Sequence, residues 1–593
     1  MCGIVGARDD WLRRRGLPPA AAMHAAVAAL GWRGPDGQRV VRAGAWWLGC
    51  ARLAIGPARA AQPVVQRSGR HVGVLNGAIT NARELWARLL PGAERRAVLP
   101  NDAWLPLLAV ARGERALLAT LRGHHAFAVV DTVTGELVTG RDRYGEKPLV
   151  CLHDTGAAGR PLLAFASTAP ALAAFGVPAL RRPRRRAEWF RCGFHDPLPR
   201  RLPGRLVLAH HAPAAPPAAA TATDLRAALV GAVRGCVDTP VPVGLLLSGG
   251  IDSSCLAASL GALGRRVPAY QFRANGEPAA ERDVARAVAA RCGLDLRPVD
   301  GGTELLDALP RLTALAGTPL GDPSVLAVHA TAVAAAADGV RVLLGGEGAD
   351  ERHLGYRRYR AFARLPDLRW LRALAPRWSM HPAARWLRAA TAPEPWLALL
   401  AVTPPAFGSE VLAPALAQRR CWRDDAPQRC AGRSAAARLA FAQAHDLAAY
   451  LPLDLLPKVD LATLAAGVEA RCPFLDGTLP DAHDADALGK RRLRDAFAAH
   501  LPAAVFRQPK RGFALPLDRW FRAASPWLDL LAEPRSRGRP HLRPGGLAGA
   551  VDRHRSGRSN LGHGLYLLLA YELFLRLRDR ESGPDTTNPP GRA

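Results

Sequence analysis

Leu245-Leu246-Leu247-Ser248-Gly249-Gly250-Ile251-Asp252-Ser253-Ser254 decides how the surrounding chain folds. The apolar run from Val243 to Leu247 reads as a strand buried in a parallel sheet. It ends in Ser-Gly-Gly, and Asp252-Ser253-Ser254 opens a helix that runs on to Leu260. A glycine turn between a strand and a helix start gathers free backbone N–H groups and the positive end of the helix dipole at one spot. Two glycines let an anion come close. The hydroxyls of Ser248, Ser253 and Ser254 add donors, and Asp252 beside a phosphate site suits a divalent cation.

Outward from this loop, strands and helices alternate. Val267 to Phe272 reads as a strand and Glu281 to Cys292 as a helix. The turn Gly321-Asp322-Pro323-Ser324 leads into a helix through Ala336. Val340 to Leu344 reads as a strand that enters Gly345-Gly346-Glu347-Gly348-Ala349-Asp350-Glu351. This pattern predicts a doubly wound parallel sheet with ligands at the carboxyl ends of its strands. Glu347 and Asp350 then share a sheet edge with Asp252, and two carboxylates from separate turns can clamp Mg²⁺. No Gly-Lys-Ser/Thr follows the first glycines, so the loop is not a Walker motif. It resembles the Ser-Gly-Gly-x-Asp-Ser loop of the ATP pyrophosphatases, which split ATP into AMP and pyrophosphate.

A chain of 593 residues, 49% apolar, is long enough for two or more domains. No stretch reaches 18 uncharged apolar residues; Leu561 to Leu577 carries Glu572 and Arg576 and reads as an amphipathic helix. The first residues lack a basic segment followed by an apolar one, so no signal peptide is expected. Ten cysteines without paired spacing fit reduced thiols in a cytoplasm better than disulfides or a zinc site. The net charge of +29 invites a nucleic-acid reading. However, four of the 80 basic residues are lysines (147, 458, 490 and 510), and the remaining 76 arginines are spread throughout the chain. That is a compositional bias, and the run Arg181 to Arg186 reads as a solvated loop. Neither nucleic acid nor a membrane is an expected partner. In such a chain a surviving lysine marks a place where a compact ammonium fits and a guanidinium does not.

Cys2 follows the initiator Met, whose removal gives one residue both a thiol and a free α-amine. Such an amine titrates near 8 and can act as base for its own thiol. Four further segments follow in order: Arg33-Gly34-Pro35-Asp36-Gly37, Ala51-Arg52-Leu53, Asn76-Gly77-Ala78-Ile79 and Arg141-Asp142-Arg143-Tyr144-Gly145-Glu146-Lys147-Pro148. Together with Cys2-Gly3-Ile4-Val5-Gly6 they resemble the class II glutamine amidotransferases, whose N-terminal-nucleophile fold is an αββα sandwich. The resemblance implies that Cys2 attacks the glutamine side-chain amide. Asn76 and Gly77 would form the oxyanion hole, Arg52 would clamp the α-carboxylate, and Asp102 would take the α-ammonium. The chain departs from the pattern at Ala78, where the family has Glu, at Thr168, also often Glu, and at His124-His125, which replace apolar residues. Adjacent histidines do not share a face, so they do not read as a metal pair.

The Pro- and Ala-rich stretch 209–223 reads as a linker, and Asp224 as the cap of a helix from Leu225 to Val237. The expected organisation is a glutaminase domain over 2–208, the linker 209–223, a synthetase domain over 224–580 with a helical C-terminal part, and a disordered tail over 581–593. Tyr450 to Asp460 (with Lys458), Val468-Glu469-Ala470-Arg471-Cys472-Pro473-Phe474-Leu475-Asp476 and Arg507 to Phe513 complete a second set. Following an amidotransferase domain, they resemble the glutamine-hydrolysing asparagine synthetases over residues 1 to 525. That resemblance implies ATP on Leu246, Ser248, Gly249, Gly250, Asp252, Ser253, Ala274, Gly345 and Gly346. It implies Mg²⁺ on Asp252 and Asp350, Lys458 stabilising charge during adenylation, and Glu347 acting on the nitrogen nucleophile. Ammonia would cross an internal tunnel from Cys2, and a homodimer is suggested. The substrates implied are glutamine, aspartate and ATP. Gly345 for Ser, Arg352-His353-Leu354 for an apolar run, and Thr463-Leu464 for Ser-Met depart from the pattern near the acyl substrate. They leave a second reading open: an amide-forming enzyme acting on a peptide or another carboxylate, closing a lactam or macrocycle.

Overall fold

A computed structural model describes residues 2–55, 61–90, 101–156, 159–178, 186–194, 200–202, 206–210, 224–275, 279–366, 377–392, 395–414, 434–482, 485–508, 515–523 and 525–581, with positions 368 and 374. Most of the expected linker (211–223), the basic run 181–185, the segment 509–514 and the tail from 582 lie outside them.

The N-terminal part is built on two antiparallel sheets. The larger runs, in spatial order, Arg200–Leu202, Leu206–His210, Val150–Asp154, Leu162–Ala166, Cys2–Arg8, Trp46–Arg52 and Gln38–Ala43. The smaller is Val64–Val65, His71–Ile79, Gly123–Asp131 and Leu137–Arg141. Strand alternation divides each sheet into two faces. Ile4, Leu48 and Cys50 meet Val72, Val74, Ala126 and Ala128 between the sheets. Helix Pro19–Ala28 covers the outer face of the larger sheet, and helices Ala82–Leu89 and Trp104–Ala111 that of the smaller. The result is the αββα sandwich.

The second part holds a five-stranded parallel sheet, Asp295–Gly301, Pro268–Ala274, Val243–Leu246, Val342–Leu344 and Glu469–Arg471. Helices Leu225–Val237, Ile251–Ala262 and Ala279–Cys292 pack on one face through Val243, Leu245, Val342 and Leu344. Helix Ser324–Ala337 packs on the other through Leu246, Tyr270 and Leu343. Coverage of both faces is why the inner strands Val243–Leu246 and Val342–Leu344 read as continuous apolar runs. Among the described residues, no helix is long and apolar enough to cross a membrane.

The C-terminal helix, Gly562–Glu581, departs from the amphipathic expectation. Leu565 to Leu575 are buried all round, including Tyr566, Tyr571 and Glu572. It is the centre of a helical cluster, and Glu572 is tolerated there because Arg539 and Arg576 both pair with it, at 2.8 and 2.9 Å. Helix Arg186–Cys192, from the expected glutaminase side of the linker, lies in this same cluster. Its Trp189 and Phe190 rings sit 5.6 and 5.2 Å from Tyr571.

Candidate active sites

Cys2 begins an interior strand of the larger sheet, paired with Arg52 on its neighbour, and is 5% exposed. Its backbone N–H donates to Asn76 Oδ1 at 3.2 Å, which ties this strand to the smaller sheet. The other end of that amide, Asn76 Nδ2, is buried and has no hydrogen-bond partner among the described residues. An unsatisfied buried donor costs free energy unless a ligand supplies an acceptor. Gly77 takes φ +117°, and a Cβ there would lie 1.9 Å from the His124 carbonyl oxygen, so only glycine fits. Arg52 is fixed through its backbone by the Arg33–Gly37 turn: its N–H donates to Gly37 O at 2.7 Å and its carbonyl accepts from Asp36 N at 2.9 Å. Asp102 accepts the Ile79 N–H at 2.9 Å, and burial pushes its carboxyl up to about 6.

Sequence reasoning passed over two neighbours of the thiol. Gln62 is anchored by the Leu75 N–H (2.7 Å) and points its amide at Cys2 Sγ (3.8 Å). Cys50 donates to the Cys2 sulfur, the largest of the effects that bring this thiol down to about 7; burial opposes it, and the Leu53 N–H and Arg52 reinforce it. A thiol half ionised near neutrality is a competent nucleophile.

The second site is a cavity of about 1340 Å³ at the carboxyl ends of the parallel strands. Leu246, Ser248, Gly250, Asp252, Ser253, Ala274, Gly346, Glu347, Asp350 and Lys458 all line it, while Gly249 and Gly345 do not. The turn from Ser248 to Ser253 is held by its own hydroxyls: the Ser248 N–H donates to Ser253 Oγ at 3.2 Å, and the Gly250 N–H to Ser248 Oγ at 3.3 Å. No side chain caps the helix that starts at Ile251, so its first N–H groups face the cavity as an anion site.

Lys490 is the residue that sequence reasoning missed here. Its Nζ pairs with Asp252 and lies 2.7 Å from Asp350, and its side chain is 3% exposed. Lys490 itself takes the left-handed conformation, with φ 62°, at the start of helix Arg491–Phe497. Gly355 makes the approach possible, since a Cβ there would come 2.0 Å from Asp350 Oδ1 and 2.1 Å from Lys490 Cε. Burial alone lowers an ammonium's pKa, but the two carboxylates outweigh it and hold Lys490 above its ordinary range. Lys458, which the sequence did single out, bonds Asp322 at 2.8 Å on the same cavity wall. Burial raises the Glu347 carboxyl, and Lys458 partly offsets it. Lysine scarcity was the available signal: Lys147, Lys458 and Lys490 are each tucked against carboxylates.

Arg352-His353-Leu354 and Thr463-Leu464, expected near the acyl substrate, lie behind the wall of this cavity. Arg352 donates to Asp481 and to the carbonyls of Phe474 (2.6 Å) and Asp476 (2.8 Å), so it is a buried clamp on the following loop. Thr463 Oγ1 donates back to Val459 O inside its own helix. Both ring nitrogens of His353 are buried without a partner among the described residues, and burial, with Arg352 and Lys490, depresses its pKa to about 3. The ring stays neutral in the fold, whereas the unfolded chain takes up its proton near 6.5. Stability is therefore lost as pH falls below about 6.5 and towards 3. His353→Phe should remove this term. Its melting temperature relative to wild type is expected to rise by about 2 °C or more between pH 7.5 and pH 5.5 in calorimetry; an offset that does not change with pH would refute the account.

The two sites are joined by buried polar contacts. Arg33 pairs with Asp460 at 2.8 Å, each less than 5% exposed. His124 Nε2 meets Glu469 Oε1 at 3.0 Å, and Arg471 reaches the same oxygen at 2.6 Å. Asp142 accepts the N–H groups of Glu146 (2.8 Å) and Lys147 (3.0 Å), folding the Arg141–Pro148 segment so that Lys147 Nζ reaches Ala470 O at 3.0 Å.

Residues 224–576 match the asparagine synthase family, and residues 1–188 match the glutamine amidotransferase domain. A putative glutamine-hydrolysing asparagine synthetase of Mycobacterium tuberculosis is 28% identical, with 97% of each chain covered. Asparagine synthetase 1 of Bacillus subtilis is 27% identical over 50% of each chain. The amidase chyE of Penicillium rubens is 27% identical over 58% of this chain and 56% of its own. With a glutaminase-type sandwich docked on a nucleotide-type sheet, and a family match over more than half its length, the chain belongs to the asparagine synthase family and is an ATP-dependent ligase that uses glutamine.

Proposed function

We propose that the protein is a glutamine-dependent asparagine synthetase, which adenylates aspartate with ATP and amidates the adenylate with ammonia. The observation that carries this reading is the orphaned amide of Asn76 beside Cys2. A buried donor with no acceptor suits the oxyanion that forms when a thiolate attacks a glutamine amide. A working glutaminase supplies ammonia, and ammonia makes a primary amide. In this reading Cys2 is the nucleophile, Asn76 and the Gly77 N–H hold the oxyanion, Arg52 takes the α-carboxylate and Asp102 the α-ammonium.

In the synthetase half, the N–H groups from Gly250 onward take the phosphates of ATP, with adenine towards Leu246 and Ala274. Lys490 and Lys458 stabilise charge as the substrate carboxylate displaces pyrophosphate. Glu347, raised by burial, accepts a proton from the attacking nitrogen. Asp252 and Asp350 fit Mg²⁺, because both carboxylates already converge on one cation, Lys490 Nζ. Mg²⁺ on such a pair, together with ATP phosphates, supplies charge neutralisation at the leaving group. The glutaminase part is taken as 2–208 and the synthetase part as 224–580, working in the cytoplasm.

One observation favours a larger carboxylate. Arg357, Arg360, Arg364 and Trp386 also line the cavity, and aspartate and ATP give them no evident task. Pyrophosphate release from ATP-Mg with glutamine, with and without aspartate, tests the proposal. Aspartate-dependent pyrophosphate, with glutamate and asparagine in equal amounts, is the expected result. Glutaminase activity without aspartate-dependent pyrophosphate would sink the aspartate reading and leave the larger substrate.

A further inference from the structure

Two departures from the amidotransferase pattern meet at one place. Ala78, where a Glu is usual, pairs directly across the ladder with His124, which replaces an apolar residue. Directly opposed residues of an antiparallel pair project on one face with Cβ atoms about 5 Å apart. That face is the one carrying Asn76 and Val74, turned towards the larger sheet and Cys2. His124 is 2% exposed, and its Nε2 is bonded to Glu469, which comes from the edge strand of the parallel sheet. Arg471 bonds the same Glu469 oxygen from two residues along, so the carboxylate is fixed from two sides. Asp102, bonded to Ile79 next to Ala78, is close enough for its ionisation to respond to both Glu469 and Arg471. Burial works to raise the Glu469 carboxyl, but Arg471 and the hydrogen bond from His124 work against it, and the carboxyl stays well below its ordinary range. The place vacated by the missing Glu is thus bordered by a charged carboxylate from the other half of the chain.

We propose that Glu469 is the second carboxylate that positions the α-ammonium of glutamine, and that His124 holds it in reach of the glutaminase pocket. The proposal rests on the reading of Asp102 as the ammonium site. It makes glutamine recognition a property of the docked chain, because one of its two anionic partners belongs to the strand that ends beside Glu347: Cys472, the next residue but two, lies 3.9 Å from the Glu347 carboxylate.

The test is a set of full-length variants assayed for glutamine hydrolysis. Glu469→Gln should raise the KM for glutamine at least tenfold while kcat at saturation changes less than threefold. Adding Ala78→Glu to Glu469→Gln should return KM to within threefold of wild type. Asp102→Asn serves as the separate control. If Asp102→Asn raises KM and Glu469→Gln does not, or if Ala78→Glu gives no rescue, the proposal is overturned while the ammonium-site reading stands. If Asp102→Asn leaves KM unchanged, that reading itself fails and the proposal with it. Should Glu469→Gln not fold, His124→Phe keeps the question open to measurement: a threefold or greater rise in KM is expected, and an unchanged KM refutes the proposal.

Discussion

Cys2→Ala is expected to lower glutamine hydrolysis at least 1000-fold while pyrophosphate release driven by added ammonium salt persists. Removing a nucleophile leaves only the binding groups and the oxyanion donors, which act on water far less effectively. The size of the effect follows from how much of the pocket is aimed at one sulfur. Gln62, Cys50 and the Leu53 N–H all point at it, and Asn76 secures its backbone. The wild-type rate should fall with the loss of thiolate below about pH 7, the value to which the Cys50 hydrogen bond brings the thiol. Assays with glutamine and with ammonium chloride, run side by side, separate the two halves. Loss of both activities together would mean that Cys2 is structural and that the glutaminase assignment is wrong.

Lys490→Met should abolish pyrophosphate release, again by about 1000-fold, and leave glutamine hydrolysis standing. The substitution removes a positive charge beside the glycine turn and leaves the half-buried Asp252 and Asp350 facing one another without it. Those carboxylates then repel, so the variant should melt lower than wild type. Added Mg²⁺ should recover more of its melting temperature than it adds to wild type. Lys490→Arg is expected to fail as well, since Gly355 leaves room for a slender ammonium stem against Asp350 and none for a planar fork. A Lys490→Met enzyme that releases pyrophosphate at the wild-type rate would move the charge-stabilising role to Lys458.

The phosphate loop, the alternation of strands and helices and the glutaminase motifs were legible because each is local. Strand, turn and helix start lie within a dozen residues, and their chemistry is carried by backbone and hydroxyl groups. Lys490 was not legible in the same way. It stands 238 positions from Asp252 and owes its place to its own left-handed conformation at a helix start, which no spacing announces. His124 and Glu469, 345 positions apart, were read separately as an oddity and as a family motif, and only the docking of two sheets makes them neighbours. The C-terminal helix misled for the opposite reason. Glu572 and Arg576 looked like a solvated face, yet with Arg539 they neutralise one another inside the core. Arg352 repeats the lesson, a charged residue in an apolar slot whose guanidinium is consumed by backbone carbonyls.

The contact between Trp189, Phe190 and Tyr571 bears on how the protein is made. A ribosome delivers the N-terminal half first, and domains tend to fold as they emerge. Here the two rings pack against a helix that is synthesised long after them. Until then their apolar faces are open to solvent or to a chaperone. A chain cut off before this helix would keep them exposed, and should be captured by a chaperone more readily than one that has made the contact.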